Sequence, residues 1–137
     1  MKTTPDLITS LEPNQIFVFG SNLSGWHAGG AAKAAMDWGA IWGNGIGIQG
    51  QTYAIPTKNY GIANTLTIDQ IKPHVNAFLA YAIDHKECEF LVTEIGCGLA
   101  GLTYEEVAPL FILAMFYDHI VLPQKFIDHL ASMYALD

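Results

Sequence analysis

Two short, largely apolar runs, "IFVF" at residues 16–19 and "FLVT" at residues 90–93, each give way to a glycine-containing loop that opens into helix-forming sequence. Runs without polar alternation read as strands covered on both faces, and such strands belong to parallel sheets flanked by helices. Parallel neighbours need crossover connections and present their loops at one common edge, so this pattern restricts the fold more than any other feature.

The remaining segments fit the same scheme. The stretch from Ala31 to Trp38 holds good helix formers and stops at Gly39, and "TYAIPTK" predicts a strand ending near Pro56. Between them lie glycines at positions 39, 43, 45, 47 and 50, too dense for a helix, which predict an ordered loop that is packed or faces a ligand. Ile68, Ile71, Val75, Phe78, Leu79, Ala82 and Ile83 recur at helical spacing; Pro73 belongs near a first turn, which moves the expected start from Thr67 toward Asp69. Thr103 and Glu106 form a capping box for a helix expected to run through Met115 to about Tyr117, with Pro109 kinking or rearranging it. "HIVLP" predicts a last strand, and the stretch from Lys125 to Ala135 a last helix. Strand and helix alternate throughout, which gives an α/β fold with a largely parallel sheet covered on both faces.

The chain has 137 residues, about half of them hydrophobic, enough for one core, so a single domain is expected over residues 1–137. Its net charge is -7 and its six basic residues are all lysines, scattered singly. Nucleic acid is therefore an unexpected partner, and any anion would be held mainly by backbone N–H groups rather than by arginine forks. Two cysteines and a polar start lead to an expected reduced, cytoplasmic setting, and no apolar run approaches the roughly 20 residues of a membrane span.

"IGCGLAG" spells the dinucleotide-binding pattern G-x-G-x-x-G, but Gly45, Gly47 and Gly50 spell it again ahead of a strand, where the motif has no meaning. After the first copy, Asp118 precedes the next strand instead of ending it, and too little chain remains for a Rossmann half with its substrate site. Cys97, near an expected helix start, could be an activated nucleophile; a cysteine phosphatase would also need an arginine shortly downstream, where Thr103 stands, so a small buried thiol is the preferred reading. The five histidines form no ligand pair, His74, His85, His119 and His129 reading as surface or element-end residues, and neither cysteine has a partner nearby; no metal and no cofactor are expected. Two glycine loops, "FGSNLSGWHAGGAAKAA" and "TEIGCGLAGLTYEEV", remain and can face one crevice at the carboxyl edge of the sheet. The plainer alternative is that their glycines only make tight turns.

These segments resemble the macro domain family, the ADP-ribose-binding module, and are most similar to the branch of ADP-ribosyl-glutamate hydrolases and ADP-ribose-1''-phosphate phosphatases. The second loop looks like that branch's phosphate loop, "SNLSGWHAGGAAKAAM" resembles its first loop, and "GIGIQGQTYAIPTK" is similar to the segment entering the central strand. The resemblance implies a three-layer α/β/α fold with a mixed, largely parallel central sheet. It implies that Gly96, Cys97, Gly98, Leu99, Ala100 and Gly101, with Ile95 before them, wrap a diphosphate and its neighbouring ribose. It also implies that Asn22, His27, Ala28, Gly29, Gly30 and Ala31, with Gly20 and Ser21 beside them, line the distal ribose.

Lys58 falls where glutamate-deribosylating members keep a lysine that attacks the anomeric carbon; alternatively it is a solvated lysine at a strand end. Those enzymes carry an aspartate in the phosphate loop where this chain has Ala100, so the lysine lacks its acid–base partner. Hydrolysis would then rely on His27 or Asn22 orienting a water, or on strain in the bound distal ribose; alternatively His27 merely caps the following helix. The expected function is binding of ADP-ribose or a derivative, free or carried by a macromolecule, with possible cleavage of an ADP-ribosyl bond or a 1''-phosphate. The alternative is a non-catalytic module for another nucleotide or NAD-derived metabolite.

Overall fold

A computed structural model describes residues 1–61 and 63–134. Strands β1 (Thr3–Thr4), β2 (Gln15–Asn22), β3 (Gly47–Gln49), β4 (Thr52–Lys58), β5 (Glu89–Val92) and β6 (Ile120–Pro123) form one sheet in the order β1-β6-β5-β2-β4-β3. All neighbours are parallel except β3, which runs antiparallel to β4. Helices α1 (Gly30–Ala35), α2 (Ile68–Ile83), α3 (Tyr104–Val107) and α4 (Gln124–Tyr134) cover it, giving a three-layer α/β architecture. Among the described residues, no helix is long and apolar enough to cross a membrane.

The two-residue period of β2 separates the layers. Ile16 and Val18 point into the larger core, where Phe78 of α2 meets the rings of Tyr53, Phe90 and Phe111 at centroid distances of 5.1, 5.7 and 6.3 Å. Phe17 and Phe19 point the other way, against Ala32 and Ala35 of α1, whose small side chains let a short helix lie close to the sheet. Each fully buried aromatic or aliphatic side chain in these clusters contributes about 1.5–3 kcal/mol of transfer free energy.

Several boundaries differ from the expected ones for physical reasons. Thr67 caps α2 through a full capping box with Gln70, so the helix begins at Ile68 and Pro73 lies beyond its first turn. The helix expected from Thr103 is α-helical for one turn only, and Ala108–Phe116 continues as a 3₁₀-helix from the point where Pro109 removes a backbone donor. Strand β4 runs through Pro56 to Lys58; β3 pairs only with Thr52, Tyr53 and Ala54, so Pro56 stands where that edge of β4 no longer has a strand beside it. The last helix starts at Gln124, and its expected end at Ala135 lies outside the described residues.

Strand β3 falls within the segment expected as loop, and several glycines around it serve close approach. A Cβ at position 45 would lie 1.9 Å from the Asn22 carbonyl oxygen, and one at position 25 would lie 2.3 Å from the Asn44 nitrogen. Gly39 and Gly50 sit against each other in the same way, each with positive φ. Gly45→Ala should therefore cost more than ~3 kcal/mol and lower the thermal midpoint sharply, because the obstructing atoms, from Asn22 and Gly25, are all backbone. Gly47→Ala, at a φ of +87° but with open space around it, should cost only about 1 kcal/mol. Thermal unfolding of the two variants side by side checks the distinction.

Candidate functional site

The crevice forms where the chain diverges. Neighbouring strands β2 and β5 are followed by loops that leave for opposite faces, the first toward α1 and the second toward α3. Such a switch point leaves a gap beyond the carboxyl ends of the strands. Here it is about 440 Å³ and is lined by Gly20, Ser21, Asn22, Trp26, residues 28–32, Thr57, Lys58 and residues 93–100.

Most of the expected ligand-binding residues meet in this wall: Gly20, Ser21, Asn22, Ala28, Gly29, Gly30, Ala31, Ile95, Gly96, Cys97, Gly98, Leu99 and Ala100, together with Lys58. Gly101, at a φ of +78°, turns the chain just outside it. Among the described residues the amides of Gly96, Gly98, Leu99 and Ala100 have no hydrogen-bond partner, and neither have those of Gly29, Gly30 and Ala31. Helix α1 has no side-chain cap among the described residues, and none of them occupies its first amides. Leu99 is 78% exposed and reaches over Gly29 and Gly30, spanning the two loops.

Two of the expected catalytic residues are differently employed. His27 is buried, absent from the crevice wall, and set edge-on to Phe19. Its Nε2 lies 2.9 Å from the Ile41 carbonyl and 3.0 Å from that of Asn44, two acceptors that require Nε2 to carry the proton and donate. His27 thus pins the loop at residues 41–44 rather than orienting a water at the crevice, and it does not cap α1, whose cap residue is Gly29. Asn22 does reach the wall, but its carboxamide donates to the Trp26 carbonyl and accepts from the Trp26 amide, both at 2.9 Å. That amide shapes the loop, with one of its two N–H donors and one of its two acceptor lone pairs committed to Trp26.

Lys58 ends β4. Its carbonyl accepts from the Leu23 amide, and its ammonium has no ion-pair or hydrogen-bond partner among the described residues. Thr65, bridged to Lys58, donates its hydroxyl to the Ala100 carbonyl at 2.7 Å and so ties the lysine end of the crevice to the second loop. Glu94 is the other charged residue of the wall. Its carboxylate accepts from the Tyr104 hydroxyl at 3.3 Å, which in turn accepts from Lys125 at 2.9 Å.

A second recess of about 460 Å³ shares Gly30, Ala31, Thr93 and Glu94 with the first and continues past Asp6, Leu7, Ile8 and Phe17 to Pro123 and Lys125. Sequence reasoning missed Asp6, Thr57, Thr93 and Glu94. Asp6 reaches the recess because β1, a pair of threonines with no periodicity to reveal it, docks on β6 and directs the next residues across the strand ends. Among the described residues no group of three histidine, cysteine or acidic side chains could hold a metal ion.

Cys97 is half-buried, and its Sγ donates to the Ile95 carbonyl at 3.5 Å. Burial pushes its thiol up to about 11, with Glu94, Glu106 and Glu105 adding to the effect, so it is a thiol rather than a thiolate at neutral pH. No family model, characterised protein or solved structure matches this chain.

The raised Cys97 value sets a pH dependence. An unfolded chain releases this proton near the ordinary 9.0 and the folded chain only near 11, so raising the pH across that interval favours unfolding. Chemical denaturation should show stability falling from pH 9 to 11, and Cys97→Ala should make that part of the profile less steep, burial raising Cys88, Tyr53 and Tyr81 as well.

Proposed function

We propose that the protein binds ADP-ribose or a close derivative, free or attached to a macromolecule, in the crevice between the loops after β2 and β5. The observation that carries this reading is the convergence of two glycine loops, with partner-free backbone amides, at the sheet's switch point. Such amides suit a diphosphate in a chain that has no arginine to offer. The two recesses, joined through shared residues, suit a ligand with two bulky ends. A ribose would lie beside Lys58 and Asn22, and a heterocyclic base near Phe17, where Asp6 could accept from an exocyclic amine. In this reading the chain is macro-like, in keeping with its resemblance to that family in both loops.

Calorimetric titration with ADP-ribose tests the reading, and Gly98→Val sharpens it. A Cβ at position 98 meets nothing within 4 Å, so the variant should fold as the parent does while its side chain fills the space a diphosphate needs. Binding should weaken at least ~30-fold, roughly 2 kcal/mol. Undiminished binding to Gly98→Val would remove this site from consideration. Asp6→Ala should weaken ADP-ribose about tenfold and leave ribose 5-phosphate unaffected, since only the former carries a base.

For turnover, Lys58 is the residue of choice, because its ammonium is unpaired among the described residues whereas His27 is turned away and the Asn22 amide is engaged. Incubation with an ADP-ribosylated peptide or with ADP-ribose-1''-phosphate, followed by chromatography, should show release that Lys58→Ala abolishes. A binding module without turnover is favoured by one observation: position 100 is alanine rather than an acid, and Glu94, the carboxylate of the wall, already accepts from the Tyr104 hydroxyl. Absence of release from both substrates, with ADP-ribose affinity intact, decides for the module.

A further inference from the structure

Among the described residues strand β3 ends the sheet, paired with β4 on one side only. Open edges invite pairing with another chain, and monomeric proteins blunt them with very short strands, charges, prolines or a covering element. This edge is short, three residues, but it carries no blunting side chain: residues 38–57 contain no charged residue, and Pro56 lies beyond the span that β3 occupies. The same region carries Trp26, Ile41, Trp42, Ile46 and Ile48 with 41–56% of their surface exposed.

These five residues belong to one knot of chain. The Gly43 amide donates to the Gly25 carbonyl, His27 donates to the carbonyls of Ile41 and Asn44, and the Gln49 side chain accepts from the Ile41 amide and donates to the Asn44 carbonyl. The knot is thus held by partly buried hydrogen bonds, and its exposed side chains sit on a preformed support.

We propose that the β3 edge is a homodimer interface, in which the Gly47–Gln49 strands of two copies pair antiparallel across a two-fold axis and bury the flanking tryptophans and isoleucines. Charge argues for a second copy. Two chains of net charge -7 repel over most of their surfaces and can meet at least cost where neither carries charge, whereas a partner drawn by electrostatic steering would be directed to the acidic faces instead. Area agrees. Five large side chains about half exposed amount to apolar surface on the order of 500 Å² per copy, above what isolated surface residues present. Backbone of the glycine turns extends it toward the roughly 800 Å² per partner of a standard stable interface. An antiparallel two-fold on a three-residue strand is self-complementary, so a single edge serves both partners.

Sedimentation velocity over a dilution series from about 1 to 100 µM tests this. The wild-type chain should sediment at twice its 14.9 kDa mass at the upper end. Ile48→Lys, which puts a cation on the edge, should sediment as a monomer throughout with unchanged far-UV dichroism, and Trp42→Ser should weaken the dimer at least tenfold. Should Ile48→Lys fail to fold, Ile48→Cys supplies an independent reading. A two-fold centred on β3 sets position 48 opposite its copy, so mild oxidation should give an interchain disulfide absent from the wild-type chain. A wild-type monomer at the highest concentration would overturn the proposal and leave the patch to a different protein. A dimer that survives Ile48→Lys, or the absence of a covalent dimer from Ile48→Cys, would equally exclude the β3 edge.

Discussion

The crevice depends on two backbones that touch. The Asn22 carbonyl occupies the space a side chain at position 45 would need, and the Ser21 hydroxyl donates to the Gly45 carbonyl beside it. From that point the loop after β2 is fixed from below: the Asn22 side chain closes the turn at Trp26, and His27 ties the next residues to Ile41 and Asn44. Each such hydrogen bond contributes only about 0.5–1.5 kcal/mol, but together they leave the chain entering α1 a single path. The positions of Gly29, Gly30 and Ala31 therefore follow from glycines that never meet the crevice. A backbone-built site is as rigid as the backbone beneath it, and here that support lies in the glycine-dense segment.

The two layers of helix are unequal. On one face a cluster of rings around Phe78 binds α2, the 3₁₀-helix and α4 to the sheet. On the other face α1 has six residues and presents mainly alanine to Phe17 and Phe19. So short a helix has little stability of its own, and its place is set by tertiary packing. The site thus pairs a loop backed by the thick core with one backed by the thin layer.

How much of this was legible follows from what each residue can signal. Residues 16–19 and 90–93 announced buried strands because apolar runs between turn residues have few other uses, and α2 announced itself through its period. Strand β3 did not, because glycine carries no hydrophobic signal and only pairing with β4 makes the segment a strand. Most crevice residues were found because strand-to-glycine-loop junctions share one edge by topology. His27 was misjudged because its sequence neighbours do not determine which way a ring turns; that is settled by carbonyls 14 and 17 residues away. Asp6 was invisible for the same reason, since its nearness to the crevice depends on a two-residue strand docking against the far end of the chain.

Cys97 sits in the loop whose shape matters most, and it is the residue there most open to chemical change. Oxidation begins from the thiolate, and partial burial among three glutamates leaves almost none of that form at neutral pH. A sulfenic acid at this position would place a bulky polar group between Gly96 and Gly98 and spoil the turn. The environment that disqualifies the sulfur as a nucleophile thus gives the loop durability: under peroxide stress its shape should outlast that of a loop built around an ordinary exposed thiol.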